Sequence, residues 1–196
     1  MRLLLILTLS ILWTELAYTA DFSTLEQQEL LNYTRSCLIS ILEGTPAPPP
    51  TSSCLQKQKA CFVTFFHNRS VIACFGSFTP RRETLGEEII DNIRLAIRND
   101  PRASIITTQL ANIADIQITF PQKPQRIKDW QSLNPLKEGL LVEAADGRGV
   151  AIVPGEARTA GYAWRSAIKR LNINPGNPGI RTFRFQAEVI RQRKRS

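Results

Sequence analysis

Residues 61–80, CFVTFFHNRSVIACFGSFTP, constrain the fold more than any other stretch of this chain. Two short runs of aromatic and β-branched residues flank a polar break too short for a crossover. Only an antiparallel hairpin joins two strands across such a gap. The expected strands are 60–66 and 70–76, joined around Asn68-Arg69. With those two residues at the turn centre, Val63 lies across from Cys74 and Cys61 across from Gly76. Cys61 and Cys74 then share a face on a diagonal of about 7–8 Å, which is wide for a disulfide.

The remaining punctuation surrounds this hairpin with helices and further strands. Ser23-Thr24-Leu25-Glu26 and Thr84-Leu85-Gly86-Glu87 are capping-box patterns. The first opens a helix with Leu30, Cys37, Leu38, Ile41 and Leu42 on its apolar side. The second opens one running to about Arg98, with Leu85, Ile89, Ile93, Ala96 and Ile97 inward. Gly44 and Pro46 stop the former, and Pro48, Pro49 and Pro50 extend the connection that follows. Asp100-Pro101 stops the latter. Ile116, Ile118 and Phe120 alternate along one face of a strand, with Asp115, Gln117 and Thr119 on the other. A second hairpin is expected from 140–144 and 149–153 around Asp146-Gly147, which puts Glu143 opposite Val150. A short helix carrying Tyr162, Trp164, Ala167, Ile168 and Leu171, then a strand with Phe183, Phe185, Ala187 and Val189, complete the pattern. The sum is one α+β domain over 21–190, built as one body or as two lobes, with antiparallel hairpins and packed helices.

Both ends depart from that domain. Arg2 precedes an apolar run from Leu3 to Trp13, too short to span a bilayer, and small or polar residues lead to Ala20. That is the layout of a secretory signal peptide cleaved after Ala20, and it predicts a secreted or periplasmic protein. The alternatives are a retained N-terminal membrane anchor and a buried apolar strand. The net charge is +8, concentrated toward the other end, where Arg191, Arg193, Lys194 and Arg195 form a basic tail over 191–196. Such a cluster attracts anions at long range. Nucleic acid is not the expected partner, because no zinc-finger, helix-turn-helix or basic-aromatic pattern accompanies it.

Cys37, Cys54, Cys61 and Cys74 allow three complete disulfide pairings or four buried free thiols. No close CxxC pair exists and His67 is the sole histidine, so the spacing speaks against a metal site. Cys74 is the candidate nucleophile, and Gly76 beside it admits a close approach by a backbone or substrate. His67 lies at the far end of the hairpin, at about 3.3 Å per residue too distant for a local Cys-His dyad. Ile72 and Ala73 supply no charge to lower the thiol pKa. Arg81 and Arg82 are the nearest cationic candidates for a small anionic or redox-related ligand, and Glu143 is a candidate acid in a cleft. Asp115, Arg148 and Arg158 have weaker claims.

Several segments, in order, resemble the AMMECR domain family, also called AmmeMemoRadiSam system protein A. Val71-Ile72-Ala73-Cys74-Phe75-Gly76 is similar to its Leu-Arg-Gly-Cys-Ile-Gly signature, retaining Cys74 and Gly76 while Ile72 and Ala73 replace the arginine and first glycine. Ile116-Gln117-Ile118, Gly139-Leu140-Leu141-Val142-Glu143, Ile152-Val153-Pro154, the helix from Trp164 to Leu171 and the strand 184–189 resemble later family segments. The resemblance implies a small α+β fold and, through gene context, a radical-SAM or Memo-type partner. It implies no defined reaction and no known cofactor. The expectation is therefore an accessory or small-ligand-binding protein; the alternatives are an enzyme dependent on Cys74 and a protein-interaction domain.

Overall fold

The computed structural model describes residues 21–192; the expected leader and residues 193–196 of the basic tail lie outside them. The first helix, α1 (Thr24–Glu43), starts at its capping box: Ser23 accepts from the Glu26 amide while the Glu26 carboxylate accepts from the Ser23 amide. It ends at Gly44, whose positive φ of 69° suits a residue without Cβ. The same reciprocal cap at Thr84 and Glu87 starts α2 (Leu85–Asn99). Its buried row Leu85, Ile89, Ile93 and Ala96 is the expected one.

Strands β1 (Phe62–His67) and β2 (Ser70–Gly76) form the expected hairpin, with Asn68 and Arg69 both left-handed at its tip. The register corrects the expected pairing. A bulge between Phe65 and Phe66 leaves Ile72 unmatched, so Thr64, not Val63, faces Cys74, and Phe62, not Cys61, faces Gly76. One extra residue turns every side chain beyond it to the opposite face. Cys61 therefore packs with the helices, while Cys74 points away from them. All four cysteines are free and buried.

β3 (Asp115–Pro121) and β8 (Ala187–Gln192) extend this hairpin into a four-stranded antiparallel sheet, ordered β2-β1-β3-β8. Arg191 is thus part of β8, with its guanidinium over the Phe66 ring at 3.9 Å. One face, carrying Val63, Phe65, Ile116, Ile118 and Ile190, buries against α1 and α2. The short helix α3 (Thr108–Ile113) covers the edge of that core through Ala111.

A second antiparallel sheet, ordered β4-β7-β5-β6, is built from β4 (Gln125–Ile127), β5 (Gly139–Glu143), β6 (Gly149–Ile152) and β7 (Arg181–Phe185). Its hairpin also corrects the expected register: Val142 pairs with Val150, and Glu143 with Gly149. The loop is a residue longer than a two-residue turn, because Ala144 bonds to Arg148 and Gly147 takes a φ of 87°. α4 (Ala160–Leu171) packs on this sheet through Ala163, Ala167, Ile168 and Leu171, with Trp164 stacked on Trp130 at 5.0 Å and nearly parallel.

The two sheets meet through Phe62, Cys74, Leu141, Val153 and Phe185. This contact explains why the polar side of β3 is not wet. Gln117 and Thr119 are buried there, and the Gln117 amide donates to Thr119 Oγ1 and to the Pro154 carbonyl, each at 3.0 Å. Buried polar groups carry their cost only when so satisfied. The expected α+β class is what the structure has.

Candidate functional site

Where the sheets diverge, a cleft opens along one side of α4. Its floor begins with the two residues that stop α2. Asp100 ends the helix, Pro101 prevents another turn, and the chain folds back so that Arg102 embraces its own neighbour. Arg102 Nε and Nη2 donate to the Asp100 carboxylate at 3.0 and 2.7 Å, a forked geometry that holds both groups in one orientation. The same carboxylate accepts the Cys74 backbone N–H at 2.9 Å, closing part of the exposed edge of β2. Arg102 Nη1 then reaches Glu156, in the connection between β6 and α4, at 3.0 Å. Arg170, on the last turn of α4, joins the same Glu156 oxygen at 3.3 Å. Both carboxylates are almost wholly buried, so this ring of charges ties the two sheets together.

Burial alone would raise the Asp100 carboxyl, but the hydrogen bonds and charge of Arg102, with the Arg102 and Cys74 amides, hold it below its ordinary value. Burial disfavours the Arg102 charge too, and Asp100 and Glu156 more than reverse this. Both stay ionised around neutrality.

Two recesses share this ring. The smaller, about 320 Å³, lies between the β2 and β6 edges and is lined by Phe62, Cys74, Gly76, Val150 and Ala151, with Asp100, Pro101 and Arg170 at its border. The larger, about 710 Å³, runs from the β2 end across Asp100, Arg102 and Glu156 to Thr159, Tyr162, Ser166 and Lys169 on one side of α4. Five cationic groups, Arg69, Arg102, Arg158, Lys169 and Arg170, line it against two carboxylates. Arg102 and Arg170 are engaged by those carboxylates; the side chains of Arg69, Arg158 and Lys169 are exposed and have no partner among the described residues.

Cys74 and Gly76 therefore come together at the small recess, and Arg81, Arg82 and Glu143 do not join them. Burial, reinforced by the Glu156 charge, pushes the Cys74 thiol up to about 12, despite the Thr64 hydroxyl donating to its sulfur at 3.1 Å. At neutral pH it is a thiol, and His67 pairs with Asn68 at the hairpin tip. Gly76 makes room for the neighbouring strand: a Cβ there would collide with the Cys61 carbonyl oxygen and with Phe62. Arg81 and Arg82 lie at the start of α2, in a separate hollow with Pro46, Gln58 and Arg94, bound to Glu88 and Asp91. Glu143 forms an ion pair with Arg181 across β5 and β7 at 3.0 Å. Among the described residues no group of His, Cys, Asp or Glu clusters in a way that could hold a metal ion, and no helix is long and apolar enough to cross a membrane.

Sequence reasoning singled out Arg158 only weakly and missed Asp100, Arg102, Glu156, Lys169 and Arg170. One local signal was available: an acid at a helix stop with an arginine two residues on can close on itself. The rest meet only because α4 returns to the end of β2, a contact no spacing announces.

Fold and cleft define a class, an α+β domain of two packed antiparallel sheets with an ion-paired cleft between them. The AMMECR1 family profile matches residues 31–190, and the chain belongs to that family. A Thermotoga maritima protein is 24% identical over 135 residues, covering 68% of this chain and 78% of that relative. The crystal structure of the uncharacterised protein PH0010 from Pyrococcus horikoshii superposes with a TM-score of 0.65. That superposition covers 83% of this chain and 89% of PH0010 at 17% identity, a likeness of fold alone.

Proposed function

We propose that this AMMECR1-family domain is an accessory module that binds a small anion in the larger cleft, with Cys74 as a packing residue. The observation that carries the reading is the imbalance of charge along the cleft. The Asp100, Arg102, Glu156 and Arg170 ring neutralises itself and forms a rigid wall, while Arg69, Arg158 and Lys169 face the same space uncompensated. Thr159, Tyr162 and Ser166 add hydroxyl groups along the α4 side. Cations beside hydroxyl donors suit phosphate or carboxylate oxygens. A radical-SAM or Memo-type partner, implied by the family resemblance, is compatible with a module that presents or receives such a ligand.

Titration calorimetry with inorganic pyrophosphate and with citrate tests this. At least one should bind, and Arg158→Glu and Lys169→Glu should each weaken it about tenfold. Arg82→Glu, in the other hollow, should not. Binding that ignores the cleft substitutions, or no binding by either anion, overturns the assignment.

A further inference from the structure

Glu188, on β8 opposite Phe120, is 7% exposed. Its Oε2 accepts the Asp21 backbone N–H at 3.3 Å, whereas Oε1 is buried and has no hydrogen-bond partner. Burial raises this carboxyl above its ordinary value, the Asp21 carboxylate adds to the rise, and the Asp21 and Phe22 amides with Lys59 only partly offset it. The Lys59 ammonium is taken by the Asp21 carboxylate and lies over the Phe22 and Phe120 rings. A buried carboxylate oxygen without a donor is costly and calls for a physical reason.

The Asp21 nitrogen is placed there by independent contacts. Phe22 is 1% exposed, its ring 4.8 Å from that of Phe120, and its carbonyl accepts from the Gln27 side chain at 3.0 Å. Immediately after it, Ser23 caps α1. The backbone is therefore anchored just one residue from where the sequence pattern puts the end of the leader.

We propose that the leader is removed after Ala20 and that the new α-ammonium of Asp21 forms a partly buried ion pair with Glu188. A leader peptidase adds one water across the Ala20–Asp21 amide; the carboxylate departs with Ala20, and the amine stays on Asp21 and takes up a proton. In the continuous chain this nitrogen carries one N–H. After cleavage it carries three and a full positive charge, which gives Oε1 its missing donor and Glu188 its counter-ion. Processing then completes the fold.

The full chain is produced in an exporting host and the mature protein taken without denaturation. Intact mass should show Asp21 as its first residue; retention of residues 1–20 or a different first residue overturns the proposal. The rate of α-amine acylation is then followed against pH in the native and urea-unfolded protein. A paired amine titrates above the ordinary value of about 8, and a merely buried one below it. An upward shift of a unit, equivalent to about tenfold slower native acylation near neutrality, is expected. An unshifted or lowered value sinks the ion pair, and this reading needs no variant. Glu188→Gln should return the native value toward the unfolded one; protection that persists in that variant also overturns it.

Discussion

α2 carries a cluster of arginines and carboxylates at each end, and the two clusters are held together differently. At the start, buried Glu88 accepts the Arg81 and Arg82 backbone amides at 2.8 and 3.1 Å and the Ser77 hydroxyl at 3.2 Å. The Arg81 guanidinium lies 3.6 Å from Glu88, bonds Asn92 and reaches Asp91, while half-exposed Arg82 pairs with Asp91 alone. At the end, Asp100 and Glu156 depend on the guanidinium groups of Arg102 and Arg170. The same residue types thus decorate a helix start whose acid takes its shortest bonds from backbone amides, and form the joint between sheets at the helix stop. Proximity of arginines in sequence to a cysteine is a poor guide to which of these roles they play.

The largest effect should come from Arg102→Ala, which leaves two buried carboxylates short of their main counter-charge. A loss of about 3–5 kcal/mol in urea unfolding is expected; a loss no greater than that of Arg82→Ala would erase the contrast between the clusters. Asp100→Asn should cost less and depend on pH. Because the folded pKa of Asp100 is depressed, its contribution is fully present above the ordinary aspartate value of about 3.9 and is lost as pH falls through the folded value. The gap between wild type and Asp100→Asn should therefore be widest near neutrality and close in acid; a constant gap would mean the carboxylate charge is not what matters. The same substitution loosens the bond on the Cys74 amide. Iodoacetamide should label native Cys74 no faster than the protein unfolds, and faster in Asp100→Asn; rapid labelling of wild type near neutrality would revive the nucleophile reading. Smallest of all, Arg82→Ala should leave the urea midpoint nearly unchanged, since the Arg82 side chain is half exposed to solvent that screens its pair with Asp91.

Local punctuation was legible. The caps at Ser23 and Thr84, the stops at Gly44 and Asp100 and the apolar rows of α1 and α2 follow from residues within a few positions of each other. The faces of the strands were less so. The unmatched Ile72 leaves no mark in the pattern, because both faces of β2 are apolar, and one residue of slip separates Cys61 and Cys74, expected on one face, onto opposite faces. Gln117 and Thr119 carry the polar half of the β3 alternation, and nothing near them in the chain announces the second sheet that covers them. The cleft was the least legible, since Arg69, Arg102, Glu156 and Lys169 come from four separate segments and owe their meeting to sheet-on-sheet packing.

The stacked Trp130 and Trp164 rings have an optical consequence. The chain holds three tryptophans, and the remaining one, Trp13, belongs to the expected leader. In a chain that begins at Asp21, every indole photon comes from one dimer clamped between the 130–132 turn and α4. Intrinsic fluorescence then watches a single joint, the seating of the helix whose other side lines the cleft, and a ligand that shifts α4 would announce itself without a label.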